Sequence, residues 1–147
     1  MRTLLDVNVL IALFDENHLF NNLAHEWLQA NSSEGIASCA LTENGLIRIL
    51  SHPAYSKKIR LTPGEVIRRL EGFKQAHIHE FWPDDLSLCD SSVFRRSHIL
   101  GSKQLTDIYL LGLAVRHQGR LLTFDAKLGL EAVVGAEPKH LEPLGAF

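Results

Sequence analysis

Leu105-Thr106-Asp107-Ile108-Tyr109-Leu110-Leu111-Gly112-Leu113-Ala114-Val115-Arg116-His117, followed after Gln118-Gly119 by Arg120-Leu121-Leu122-Thr123-Phe124-Asp125, is the stretch whose reading decides the fold. In its first half, Asp107, Leu110, Leu111, Ala114 and Val115 recur at i, i+3, i+4, i+7 and i+8, which is one face of a helix. The spacing predicts a strongly amphipathic helix over 105–117, closed by Gly119. The second half is a short apolar run, a strand over 120–124. An acid opens the apolar stripe of the helix, and another ends the strand.

The same grammar repeats outward. Thr3 to Asp6 reads as a buried strand and Asn8 to Phe14 as the helix after it, with Asp6 or Asn8 near its cap. His18 to Ala30 reads as a helix, Gly35 to Cys39 as a strand, and Leu41 to Leu50 as a helix ended by Ser51-His52-Pro53. Thr62 caps a helix running to Gln75, with Pro63 at its first position and Glu65 placed for a capping box. His77 to Trp82 is a strand, Asp90 to Ser97 a short helix, Ala126 to Leu130 a brief helix, and His140 to Leu144 a last strand or extended tail. Strands alternating with helices predict an α/β fold, a single domain over 1–147 with a mostly parallel sheet.

In such a sheet, strand C-termini and the N-termini of the following helices share one edge, where ligands bind. Asp6 and Asp125 end strands. Asp107 and Glu43 stand in the first turns of helices, Glu43 opening the stripe Leu46, Ile47, Leu50. All four acids can converge on that edge. Each alone reads equally well as a cap or a complement to a helix dipole. Together they repel, and something must neutralise them. Hard oxygen donors suit Mg²⁺ or Mn²⁺, whereas zinc prefers histidine or cysteine. Asn8, Thr106 and Thr123 stand one or two positions away, where small polar groups can orient a carboxylate or a metal-bound water.

Composition is that of a soluble globular chain: 46% hydrophobic and 22% charged over 147 residues, with no apolar run long enough for a membrane span. The N-terminus lacks the pattern of a secretory signal. Cys39 and Cys89 read as reduced, packed thiols, and a cytoplasmic location is expected. The net charge of -2 argues against a purely electrostatic nucleic-acid binder but not against a nuclease, whose acidic site subtracts charge locally. Cations for phosphates are available in Lys57, Lys58 and Arg60, in Arg68 and Arg69, and in Arg95 and Arg96.

The spans Leu4-Leu5-Asp6-Val7-Asn8-Val9-Leu10, Leu41-Thr42-Glu43-Asn44-Gly45, Leu105-Thr106-Asp107-Ile108-Tyr109-Leu110-Leu111 and Leu122-Thr123-Phe124-Asp125 resemble the four acidic motifs of PIN domains, nearest to VapC toxins of type II toxin–antitoxin systems. The resemblance implies a PIN-like three-layer α/β/α sandwich and cleavage of RNA phosphodiesters with Mg²⁺ or Mn²⁺. Asp6 and Asp107 would be the central metal ligands, Glu43 and Asp125 would complete the site, and Thr123 would take the family's Ser/Thr position. It also implies a homodimer and a cognate VapB-like antitoxin that blocks the acidic cleft.

Other chemistries find less support. The histidines, including the pair His77 and His79, have no zinc spacing. There is no phosphate-binding Gly-rich loop and no nucleophile elbow. Asp6-Val7-Asn8 is similar to the opening of haloacid-dehalogenase phosphatases, but Asn8 stands where their second aspartate belongs. Two alternatives compete with the toxin: a non-catalytic PIN-like module that binds RNA or protein, and a nuclease or phosphatase acting on DNA or phosphomonoesters.

Overall fold

The computed structural model describes residues 1–58 and 60–145. Its strands are β1 (Thr3–Leu5), β2 (Ile36–Cys39), β3 (His79–Trp82), β4 (Arg120–Thr123) and β5 (Leu141–Pro143). Its α-helices are α1 (Val7–Phe14), α2 (Asn21–Asn31), α3 (Ala40–Leu50), α4 (Pro63–Ala76) and α5 (Leu105–Arg116). The strands form one sheet in the order β3-β2-β1-β4-β5, and every pairing is parallel.

Strand alternation divides the core into two layers. Leu5, Ile36 and Leu122 face a cluster built by α1 to α4, including Val9, Trp27, Leu46 and Leu70. Leu4, Ala37 and Leu121 face the opposite way, toward α5, Trp82 and Phe94. Three layers result, helices on both faces of a parallel sheet, because the central strands β1, β2 and β4 are buried on both sides. The order reverses between β1 and β4, so the crevice beyond their C-terminal ends is the topological switch point.

Local signals place the helix starts. The Asp6 carboxylate caps α1, and the Thr62 hydroxyl accepts from the Glu65 amide at 3.1 Å to cap α4, with Pro63 at its start. The last predicted strand is real as β5, preceded by a 3₁₀ turn at Pro138–His140.

Several expectations are corrected. Helix α5 is not amphipathic: Ile108 and every residue from Leu110 to Ala114 are buried. Residues 83–100 and 126–136 wrap its outer side, and Phe94 sits so close that a Cβ on Gly112 would stand 2.6 Å from its ring. The predicted helix Asp90–Ser97 is a set of turns with a 3₁₀ turn at Arg96–His98, since Ser92 bonds back to Asp90 and the chain bridges Phe94 to Val133. Ala126–Leu130 is a turn, its Lys127 amide held by Asp125. Cys39 is buried, but Cys89 is exposed on the surface loop. Gly119 does not adopt the left-handed closing conformation; Gln118 does, at φ 55°. Glycine is needed next to it because a Cβ there would lie 2.5 Å from the Arg2 carbonyl oxygen.

Candidate active site

Asp6 leaves the end of β1 and is buried. The Val7 amide donates to its Oδ1 at 2.7 Å, and the Thr123 hydroxyl donates to its Oδ2 at 3.3 Å. The same hydroxyl accepts from the Asp125 amide at 3.1 Å, so one threonine at the end of β4 ties the acids of two strands together. Asp125 is fixed further by the Gln104 side-chain amide at 3.1 Å and the Lys127 backbone amide at 2.9 Å.

The electrostatics show that Asp6, Asp107 and Asp125 share one region. Burial, then the charge of Asp107, raises the Asp6 carboxyl to about 7, with Asp125 adding to the effect and the bonds from Val7 and Thr123 opposing it. Burial, then the charge of Asp125, raises the Asp107 carboxyl as well. Among the described residues, no lysine, arginine or histidine forms an ion pair with any of the three.

Glu43 stands apart from them. Its carboxylate accepts from Ser38 Oγ at 2.5 Å and from Lys74 Nζ at 2.9 Å. Ser38 gives its only proton to Glu43, so His79 Nε2, 2.7 Å from Ser38 Oγ, is the donor in that contact. Burial, then the charge of Lys74, holds the His79 imidazolium below its usual range, consistent with a neutral ring. Lys74 also lies over the Phe81 ring, 5.6 Å from its centroid. Sequence reading missed Ser38, Lys74 and His79. They come from β2, α4 and β3, and only the alternation of β2 and β3 hinted that Ser38 and His79 share a face.

Asn8 and Thr106 are exposed, with no hydrogen bond to these carboxylates among the described residues. The basic pairs named from sequence lie elsewhere: Arg95 bonds the Glu131 carbonyl at 3.0 Å, and Arg60 bonds that of Pro53 at 3.1 Å. The cations beside the acids are instead Lys103 and Lys127, which line a cleft of about 670 Å³ with Ser102, Gln104 and Asp125. As the side chains stand, no three His, Cys, Asp or Glu among the described residues are drawn together closely enough to enclose an ion. The donor chemistry nevertheless fits a hard divalent cation, since the gathered groups are carboxylates lacking a partner of opposite charge.

The PIN domain model matches residues 3–133. The chain belongs to the PIN domain family. Within it, this PIN domain groups with VapC proteins of Mycobacterium tuberculosis. It is 44% identical over 144 residues to Ribonuclease VapC44, covering 98% of this chain and 100% of that protein. It is 40% identical over 135 residues to Ribonuclease VapC39, covering 92% of this chain and 96% of that protein. Among solved structures, VapBC2 from Rickettsia felis bound to a DNA fragment from their promoter superposes with a TM-score of 0.60, over 86% of this chain and 90% of that one. At 16% identity that likeness speaks for the fold alone.

Proposed function

We propose that this PIN domain is the ribonuclease toxin of a toxin–antitoxin pair, hydrolysing RNA phosphodiester bonds in the cytoplasm with Mg²⁺ or Mn²⁺. The observation that carries the reading is the group Asp6, Asp107 and Asp125 at the switch point, mutually repelling and without a protein cation. Near-full-length identity to proteins named ribonuclease supports it. Asp6 and Asp107 would hold the ion centrally, with Asp125 and Glu43 completing the site. When bound, the ion supplies Lewis acidity, lowering the pKa of water and offsetting charge on the phosphate.

The chain's own residues do the rest. Thr123 fixes the Asp6 carboxylate and, through the Asp125 amide, the start of the loop after β4. Gln104 and the Lys127 amide aim Asp125. Lys103 and Lys127 line the neighbouring cleft where RNA phosphates would pass. No side-chain nucleophile is required, and in-line attack by water would leave a 5′ phosphate and a 3′ hydroxyl. A cognate VapB-like antitoxin would neutralise the toxin, and a homodimer would be its working form.

The test is cleavage of purified total RNA by antitoxin-free protein with Mg²⁺ or Mn²⁺, with a chelator, and with the Asp107→Asn variant. Discrete fragments that vanish with chelator and with the variant are expected. Intact RNA in every lane, from folded and metal-loaded protein, would overturn the reading in favour of a binding module.

A further inference from the structure

Beside the acids lies a second cavity, of about 270 Å³, lined by Leu41, Asp84, Leu88, Leu105, Thr106 and Tyr109. It opens between the first turns of α3 and α5. Leu105 and Thr106 immediately precede Asp107 in the first turn of α5, and Leu41 stands in the first turn of α3, so the cavity and the acids share the edge of the sheet where these helices begin. Its walls combine apolar and aromatic side chains with a carboxylate. Leu41 and Leu105 expose 40% and 38% of their area at its rim, large apolar side chains left in water at the mouth of a polar site. Tyr109 forms an aromatic wall held in place on one side, near-parallel to Phe94 at 6.3 Å, with its hydroxyl bonded by the Leu86 backbone. The polar groups are the Thr106 hydroxyl and the Asp84 carboxylate. Asp84 Oδ2 accepts from the Leu41 amide at 2.9 Å and the carboxylate also accepts from the Cys39 thiol, two contacts that orient it while a carboxylate's about four acceptor sites are not all used.

We infer that this cavity is a nucleobase subsite, taking a base next to the bond that is cut and preferring one that presents an amino group. The inference rests on the reading of the neighbouring acids as an RNA-cleaving site. Its chemistry is that of single-stranded RNA recognition: an apolar and aromatic slot for the faces of a splayed-out base, with hydrogen bonding at one edge. A carboxylate accepts hydrogen bonds and donates none, so Asp84 favours an exocyclic amine and disfavours a carbonyl edge. The first turn of α5 carries Thr106 at the slot and Asp107 among the acids, so a base in the slot is expected to have its phosphate on the acidic side of that turn.

The test has two arms. In the first, fragment ends from RNA cut by wild type are sequenced beside those from Asp84→Asn. Asparagine keeps an oxygen for the Leu41 amide and places an NH₂ donor toward the slot. The expected result is a preference for bases with an exocyclic amine (adenine, cytosine or guanine) over uracil at one position beside the cut, changing about tenfold toward uracil in the variant. Identical base frequencies from two active proteins overturn the inference while leaving the ribonuclease intact. The second arm needs no cleavage. Amide and methyl shifts of Leu41, Leu105, Thr106 and Tyr109 are followed by NMR in Asp107→Asn protein, titrated in chelator with hexaadenylate, hexacytidylate or hexauridylate. Shifts at these residues with at least about tenfold tighter binding of the adenine or cytosine oligomer support the subsite, even if wild type cuts nothing. The cavity residues unmoved by every oligomer overturn it, as does a response only to a protein partner.

Discussion

Asp107 and Glu43 hold equivalent places, each an acid in the first turn of a helix that follows the sheet, and they meet opposite surroundings. Glu43 is compensated inside the protein by Lys74 and Ser38. Asp107 meets the charges of Asp6 and Asp125 and has no ion-pair partner among the described residues. The same periodicity in sequence thus produces a neutralised carboxylate on the β2–β3 side and a charge deficit at the β1–β4 switch point. A divalent cation has most to offer where the deficit is.

The sharpest way to break this comparison is to neutralise each acid in turn. Asp107→Asn is expected to lower RNA cleavage by about a thousandfold, the scale of losing roughly 4 kcal/mol of metal-centred stabilisation. Glu43→Gln is expected to cost only about ten- to a hundredfold, as for groups acting through a support. Rates of single-turnover cleavage of one RNA decide it. Equal losses would place Glu43 among the central ligands and dissolve the contrast.

The charge deficit also has a thermodynamic consequence. A carboxyl raised from 3.8 to about 7 in the fold keeps its proton when the unfolded chain has released it. Between those values the native state binds more protons, so stability falls as pH rises. The loss from Asp6 begins near pH 4 and is complete above about pH 7, reaching a few kcal/mol. Denaturant unfolding at pH 5 and pH 8 in chelator is expected to show it, and Asp6→Asn to flatten it. Mn²⁺ is expected to restore stability at pH 8 in wild type but not in Asp107→Asn. A pH-independent midpoint would mean that the three carboxylates already have a compensating partner.

The Glu43 side is tested by removing its cation. Lys74→Met leaves a half-buried carboxylate with only Ser38 as donor, and is expected to cost about 1–2 kcal/mol. Lys74→Met combined with Glu43→Gln is expected to cost less than the two single changes added, with a coupling of about 1 kcal/mol. Additive costs would show the ion pair to be incidental.

Those partners explain what could be read from sequence and what could not. Strands β1, β2 and β4, helices α1 to α5 and the ends of the sheet are written in short-range patterns, apolar runs and caps such as Thr62-Pro63. The placing of Asp6 and Asp125 at strand ends followed from the same patterns. Lys74 lies 31 residues from Glu43 and His79 lies 41 from Ser38, so no local period connects them. The burial of the middle of α5, from Leu110 to Ala114, was equally hidden, because its outer cover comes from irregular segments held by turns rather than by a repeating stripe. Lys103 and Lys127 were passed over for adjacent basic pairs, although proximity along the chain says little about which cation reaches the cleft.

The smallest expected effect isolates the site from the stability of the helix that bears it. Gln118 follows α5 at the edge of the sheet opposite the acids and holds φ at 55°. A side chain in that region costs about 1 kcal/mol, which glycine avoids while adding freedom to the unfolded chain. Gln118→Gly is therefore expected to gain under about 1 kcal/mol in denaturant unfolding. RNA cleavage should be unchanged, because neither Asp107 nor Asp125 touches that end. If cleavage fell while stability rose, the orientation of α5 rather than the charge it carries would control the switch point, and the contrast between Asp107 and Glu43 would have to be rebuilt on helix position.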